Sequence, residues 1–458
     1  MFSDLCIDLV REIAVQLSPS ERRVLRATTK SVNSALESGC FAEFRLRTSR
    51  LSTRQGRCLV SALVDSRWPL FATKICITTD MGTAGTDSPP ADVELLVREL
   101  FGRFNGVLEI QWTALILEPN WLSTTVVQLV NSNAATLEHL SLSLDKRTYP
   151  NQWTADQIPW PRPDYGAPDY TDHIAALDTV CNLTKLTLDL RKSLATALHD
   201  VLTDLVARNP SLQTLNFNID YQTAGVWRIM PHRTRTQIKL RSITSTGFSV
   251  ELGRFLLGNP AAKGLTTLVL ASFDAGHVKR NDLFATAFFE HVLPLHLDTL
   301  TELVIAPEYD SLWCARTHNA AVIGKLGSLR RLGMALHGHD LAFPESRIGQ
   351  DPDPDEKPVS MSGRDGLRDL LHAIPPTLTH LTIHPTIPER PDGRRRFNGC
   401  GTGRLNRQRM CRKAIGTSLL EMGFVADAVG DFADGLFYMA RDDESGTAQW
   451  QRLQVRLE

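Results

Sequence analysis

Leu137-Glu-His-Leu140-Ser-Leu142-Ser-Leu144 decides how this chain folds. The phrase is a leucine, two residues, a second leucine, one residue and a third apolar residue. It returns as Leu183-Thr-Lys-Leu186-Thr-Leu188, Leu212-Gln-Thr-Leu215-Asn-Phe217 and Leu265-Thr-Thr-Leu268-Val-Leu270. Three more copies follow: Leu300-Thr-Glu-Leu303-Val-Ile305, Leu329-Arg-Arg-Leu332-Gly-Met334 and Leu378-Thr-His-Leu381-Thr-Ile383. Self-similarity of this kind marks a repeat architecture. The ending alternates with period two, so its apolar side chains point to one side of a short strand. Weaker copies put Ile75, Leu108, Ile243 and Met422 in the role of the middle leucine. These positions lie 25 to 49 residues apart. A short interval fits one strand and one helix; a long interval implies an insertion. Each repeat leaves an apolar edge that only a neighbour covers, so the repeats must stack.

Helical segments precede most of these strands. Ser193 to Arg208 carries Leu194, Leu198, Val201, Leu202 and Leu205 as one apolar stripe. Asn209-Pro210 stops it, because the residue before proline avoids the helical region. Asn259-Pro260 and Pro375-Pro376 punctuate later repeats in the same way. The expected fold is therefore α/β, with parallel strands and helices outside them. A doubly wound α/β enzyme also alternates strand and helix, but it needs no leucine triplet in every strand. The pattern resembles leucine-rich repeats of an irregular, long-period kind. That resemblance implies a horseshoe solenoid over 49–435, with the strands on its concave face. Leu436 to Ala440 and Trp450 to Leu457 read as a hairpin, so 436–458 is expected to cap the open end.

Composition agrees with a single elongated body of 458 residues. The formal net charge of −1 gives no bulk attraction to nucleic acid or membrane surfaces. The eight cysteines are scattered without a close Cys-x-x-Cys pair, against both a zinc ribbon and a disulfide framework; several sit in apolar segments and are expected as buried thiols. Asp4, Asp8, Arg11 and Glu12 interrupt the N-terminal apolar residues, unlike a signal peptide. No run of 18 apolar residues exists. A cytoplasmic or nuclear setting is the expectation.

Residues 1–48 read differently, as a small module made only of helices. Leu5-Cys-Ile-Asp-Leu9-Val-Arg-Glu-Ile13-Ala-Val-Gln-Leu17 is a short amphipathic helix, Ser18-Pro-Ser-Glu21 is a helix start, and Arg22 to Leu36 supplies Val24, Leu25, Val32 and Leu36. Helices this short bury too little surface to be robust alone. They cap the repeats or they need a partner. The stretch resembles an F-box: Leu5, Asp8-Leu9, Glu12-Ile13, Leu17 and the turn Thr28-Thr29-Lys30-Ser31-Val32 fall in register with that motif. Cys6 stands where proline is usual and Val32 where tryptophan is common. An F-box followed by leucine-rich repeats implies the substrate receptor of a cullin-RING ubiquitin ligase. Leu5, Cys6, Asp8, Leu9, Ile13, Leu17, Val24 and Leu25 would then meet a Skp-type adaptor and, through it, a cullin, while the solenoid holds a protein target. The alternative is a leucine-rich-repeat scaffold with no ubiquitin role.

The insertions fall mainly after strands, at 79–92, 146–172, 337–366 and 385–404. Loops gathered on one rim often form the binding side of a repeat protein. The second holds Tyr149, Trp153, Trp160, Tyr165 and Tyr170 among prolines, a composition suited either to an interface or to pinning the loop on the repeats. Asp351 to Glu356 reads as an acidic linker, and Arg394 to Lys413 as a basic stretch that is a solvated face or an anion site. Residues between the leucines should face the concave side. Early ones are polar: Glu109, Gln111, Ser141, Ser143, Thr187, Asp189, Asn216 and Asn218. Val269, Ala271, Val304, Ala306, Gly333 and Ala335 form a small apolar patch, to be covered by a target segment or by an inserted loop. Enzyme signatures are thin. Gly399-Cys-Gly-Thr-Gly403 follows an arginine run, not a strand, and His337-Gly-His339-Asp340 lacks further ligands at a recognised spacing. No catalytic residue, cofactor or metal is expected.

Overall fold

The computed structural model describes residues 7–79, 91–114, 120–144, 170–190, 198–219, 227, 238–271, 278–307, 310–336, 363–386, 412–422, 425–426, 436–441 and 451–457. The chain divides into two compact units, Met1–Leu212 and Gln213–Glu458.

The first unit opens with three helices, α1 (Ile7–Gln16), α2 (Pro19–Arg26) and α3 (Lys30–Cys40). α2 and α3 are separated at the expected turn, where the Thr29 side chain accepts a hydrogen bond from Val32 N at 3.1 Å and starts a new helix. Val10, Ala14, Val32, Ala35 and Leu36 form the small core of these helices, with Leu25 packed against it. Strands β1 (Glu43–Arg47), β2 (Lys74–Thr78), β3 (Glu109–Ala114), β4 (His139–Leu144) and β5 (Lys185–Leu190) follow. β1 lies inside the stretch expected to be purely helical and pairs with β2 in parallel. Helices α4 (Arg54–Val64), α5 (Ala91–Arg103), α6 (Asn120–Ser132) and α7 (Tyr170–Ala175) connect the strands, and α8 (His199–Ala207) follows β5.

The second unit holds β6 (Thr214–Ile219), β7 (Ser242–Thr246), β8 (Thr267–Ala271), β9 (Glu302–Ala306), β10 (Arg331–Leu336) and β11 (His380–Pro385). Its helices are α9 (Val250–Gly258), α10 (Val278–Ala287), α11 (Thr317–Ile323), α12 (Gly363–Ala373) and α13 (412–421). These six strands pair in parallel in sequence order. Strands β12 (Val425–Ala426), β13 (Leu436–Arg441) and β14 (Gln451–Leu457) finish the unit; β13 and β14 form an antiparallel hairpin whose second strand runs parallel beside β11.

The repeat phrase sets the register. Phe44, Ile75, Ile110, Leu140 and Leu186 face one another across the strands of the first unit. In the second unit Leu215, Ile243, Leu268, Leu303, Leu332, Leu381 and Val455 do the same. Two expected members are corrected. Leu108 precedes β3 and is exposed; the column residue is Ile110, so the phrase there reads Val107-x-x-Ile110-x-Trp112, all buried. Met422 lies in the turn after α13, and Val455 takes its place in the column.

Two polar devices tie one repeat to the next. At the starts of β2 to β5 and β7 to β11, two consecutive N–H groups donate to one carbonyl of the preceding repeat: Thr184 and Lys185 to Glu138, Thr301 and Glu302 to Thr266, Thr379 and His380 to Arg330. The threonine that follows the first leucine adds its hydroxyl to the same carbonyl, as in Thr184, Thr266, Thr301 and Thr379. Buried asparagines do the rest. Asn133 accepts from Val107 N at 3.1 Å, and Asn209 accepts from Leu183 N at 2.8 Å. The asparagine before Pro210 is therefore more than a helix stop.

In the second unit, Trp313 is fully buried against Phe248, Phe288 and Phe289, with ring centroids 5.3 to 5.9 Å away. Of the described cysteines Cys314 is a buried thiol, Cys76 is half-buried, and Cys58 and Cys181 are exposed. No helix among the described residues is long and apolar enough to cross a membrane.

Candidate binding surfaces

Strands alternate, and the leucine columns use up one face of the strands in each unit. The residues between them line the other. In the first unit this face is polar and in register: Glu43, Lys74, Glu109, His139 and Lys185 form one row, and Arg45, Cys76, Gln111, Ser141 and Thr187 the next. Lys74 pairs with Glu109 at 2.9 Å, and Gln111 Nε2 donates to the same carboxylate at 2.6 Å. Desolvation is the largest single influence on Glu109 and pushes its pKa up, yet the hydrogen bonds from Lys74 and Gln111 together hold it below the usual value. Cys76 sits among Glu43 and Gln111; burial first, then the Glu43 charge, pushes its thiol up to about 11. It is a neutral thiol, held as a poor nucleophile. Ser143 donates to Asp189 at 3.2 Å across β4 and β5.

The second unit's face changes character. Thr244, Val269, Val304, Gly333 and Thr382 share one row, and Thr246, Ala271 and Ala306 the next. Val269, Ala271, Val304 and Ala306 are partly exposed, as a binding face requires. Ala335 and Gly333 are buried, so β10 is covered on both faces and Ala335 offers no surface. The sequence carries the signal: Leu332-Gly-Met-Ala-Leu336 has no polar residue, as a strand buried on both faces reads. Gly333 is needed for space, because a Cβ there would stand 2.8 Å from Val304 Cγ1.

Ala306→Arg tests which face is which. A long cation at a partly exposed position keeps its head in water. We expect its melting temperature to stay within about 2 °C of the parent, whereas Ile305→Arg, which buries an unpaired charge, unfolds the unit. Comparable losses in the two variants would reverse the assignment of faces.

Of the residues read as adaptor-facing, Leu9 and Val24 are 48% and 71% exposed. Ile13, Leu17 and Leu25 are half-buried. Leu5 and Cys6 lie outside the described residues, as does the Asp8 side chain. Val32 is buried in the helical core, where the motif often has tryptophan. Two contacts that sequence reading missed fasten these helices to the first repeat. Glu37 forms an ion pair with Arg67, and Phe41 stacks on Trp68 with ring centroids 4.1 Å apart. Only the aromatic and charged residues just after the helices hinted at them.

The loop residues Tyr149, Trp153, Trp160 and Tyr165 lie outside the described residues, as do His337, His339, Asp340, the acidic run 351–356 and the arginines of 390–409. Tyr170 does not belong with them: it begins α7, is buried, and meets Trp112 edge-on at 5.9 Å. The four insertions start where β2, β4, β10 and β11 end, at the C-terminal ends of their strands. Among the described residues no group of three His, Cys, Asp or Glu is placed to hold a metal ion. No protein-family model and no curated protein matches this chain.

Proposed function

We propose that the chain is a non-catalytic substrate receptor of a Skp–cullin–F-box type ubiquitin ligase, working in the cytoplasm or nucleus. Its repeats are leucine-rich repeats of a horseshoe solenoid. α1 and α2 turn Leu9, Ile13 and Val24 toward a Skp-type adaptor, and through it the chain joins a cullin. A protein target lies on the concave strand faces, at Val269, Ala271, Val304 and Ala306, and against the rim loops that include Trp153 and Trp160.

The observation that carries this reading is the exposure of Leu9 and Val24. Both belong to short helices whose own core is already filled by Val10, Ala14, Val32, Ala35 and Leu36. Apolar side chains left in water beside a complete core are what a partner surface needs. Co-expression with a Skp-type adaptor tests it: the adaptor should co-purify with the full chain. Leu9→Asp with Ile13→Asp should abolish that binding, a loss of a hundredfold or more (about 3 kcal/mol), while the far-ultraviolet circular dichroism stays unchanged. Failure of the unaltered chain to retain an adaptor would sink the ligase reading.

The second reading, a repeat scaffold without a ubiquitin role, draws support from the Glu37–Arg67 pair and the Phe41–Trp68 stack. On that reading the helices serve only as a cap on the first repeat. It is favoured if the double variant lowers the melting temperature and no adaptor binds.

A further inference from the structure

Between Phe44 and Val64 the chain carries Arg45, Arg47, Arg50, Arg54 and Arg57 and no acidic residue, although the whole protein is balanced at −1. The fold gathers these arginines around the end of one strand. β1 sets Arg45 and Arg47 two residues apart on the face between the leucines, with Phe44 and Leu46 on the other. A single turn of 3-10 helix, Thr48–Ser52, carries Arg50, and α4 begins at Arg54. Arg45, Arg47, Arg50 and Arg54 are exposed. Arg45 pairs with Glu43 at 2.7 Å, and Arg57 donates to the Leu51 carbonyl at 3.2 Å. Arg47, Arg50 and Arg54 have no carboxylate partner among the described residues.

Two further observations concern the same strand. β1 pairs with β2 on one side, and no strand among the described residues pairs with its other edge. Such an edge is a template for another extended chain. Half-buried Phe44 lines a mostly apolar cleft with Phe41, Leu63, Trp68, Leu100 and Phe104, and Glu43 is the one charged residue of its lining.

The geometry points to a docking surface for an extended acidic peptide of a partner protein, added as a strand to β1. Side chains of an added strand alternate. Carboxylates at two alternate positions would stand beside Arg45 and Arg47, within reach of bidentate guanidinium pairing, and the next position on that face, beside Glu43, would carry no carboxylate. The residues between them would turn toward Phe44 and want to be apolar. Nucleic acid or a lipid surface would answer the charge alone and would make no use of the strand edge. This surface goes beyond the ligase reading and does not depend on it, because Leu9, Ile13 and Val24 take no part.

Fluorescence anisotropy with the full chain tests the inference. The probe is a short labelled peptide alternating glutamate and valine. It should bind, and its affinity should fall as salt is added. Replacing glutamate by glutamine, or valine by proline to remove the backbone N–H groups, should each weaken binding about tenfold or more. The triple variant Arg47→Glu, Arg50→Glu, Arg54→Glu should lose the probe while keeping its melting temperature. Should that variant not fold, Arg47→Gln alone should weaken the probe about threefold. Absence of binding, equal binding of the proline peptide, or tighter binding of single-stranded DNA or phosphatidylserine vesicles would overturn the proposal.

Discussion

Trp313→Ala is expected to destabilise the second unit by about 4 kcal/mol. Trp313 is wholly inaccessible, and three phenylalanine rings surround it: Phe248, Phe288 and Phe289. Removing the indole leaves a cavity that these rings cannot close, because each also packs on another, as Phe288 does on Phe289 at 5.2 Å. The indole N–H also donates to the Asn281 carbonyl at 3.0 Å, a bond worth about 1 kcal/mol. The melting temperature should fall by on the order of 10 °C in differential scanning calorimetry. Trp313→Phe separates the two contributions: it keeps most of the ring contact, loses the hydrogen bond, and should cost roughly 1 to 2 kcal/mol. A drop of under about 1 kcal/mol for the alanine variant would show that the aromatic cluster is not the centre of this unit's core.

Asn209→Ala should cost about 3 kcal/mol in the first unit. Its side chain makes three buried hydrogen bonds. It accepts from Leu183 N at 2.8 Å and donates to the carbonyls of Val180 at 3.1 Å and Leu205 at 2.6 Å. Alanine fills little of the space and leaves all three backbone groups without a partner at a site closed to water. Each such group costs on the order of 1 to 3 kcal/mol, and partial relaxation brings the sum toward the lower bound. Asn209→Asp is the sharper probe. It keeps an acceptor for Leu183 but turns a second oxygen toward two carbonyls, so it should be no better than alanine at neutral pH. Native-state hydrogen exchange offers a local check: the Leu183 amide should lose protection first in either variant. If Asn209→Ala melts within about 1 °C of the parent, the asparagine is only a helix stop.

The two substitutions show how differently legible this protein is. Alternation of apolar residues with period two is local information, and each repeat repeats it. The leucine phrase alone was therefore enough to read strand, helix and strand again, to align Leu140 with Leu186 or Leu268 with Leu303, and to tell the covered face from the open one. The short helices before residue 41 were legible from their own local pattern of apolar residues, as were the strands of the terminal hairpin, whereas β1 was not.

What the tertiary structure decided is non-local. A slip of two residues leaves every side chain on its own face, so periodicity could not separate Leu108 from Ile110; only pairing with Ile75 and Leu140 does. Val455 closes the leucine column, not Met422, because a strand from the chain's end docks on β11 after a hairpin. The threonine after the first leucine looks interchangeable in sequence, and its hydroxyl acquires a purpose only when the preceding repeat presents a carbonyl. Trp313 and Asn209 sit in connecting segments with no periodic mark, and their worth comes from groups 25 to 32 residues away that only stacking brings within reach. In a stacked-repeat chain the period is written residue by residue, while the bonds between repeats exist only after neighbours meet, and that is why the first could be read and the second had to be seen.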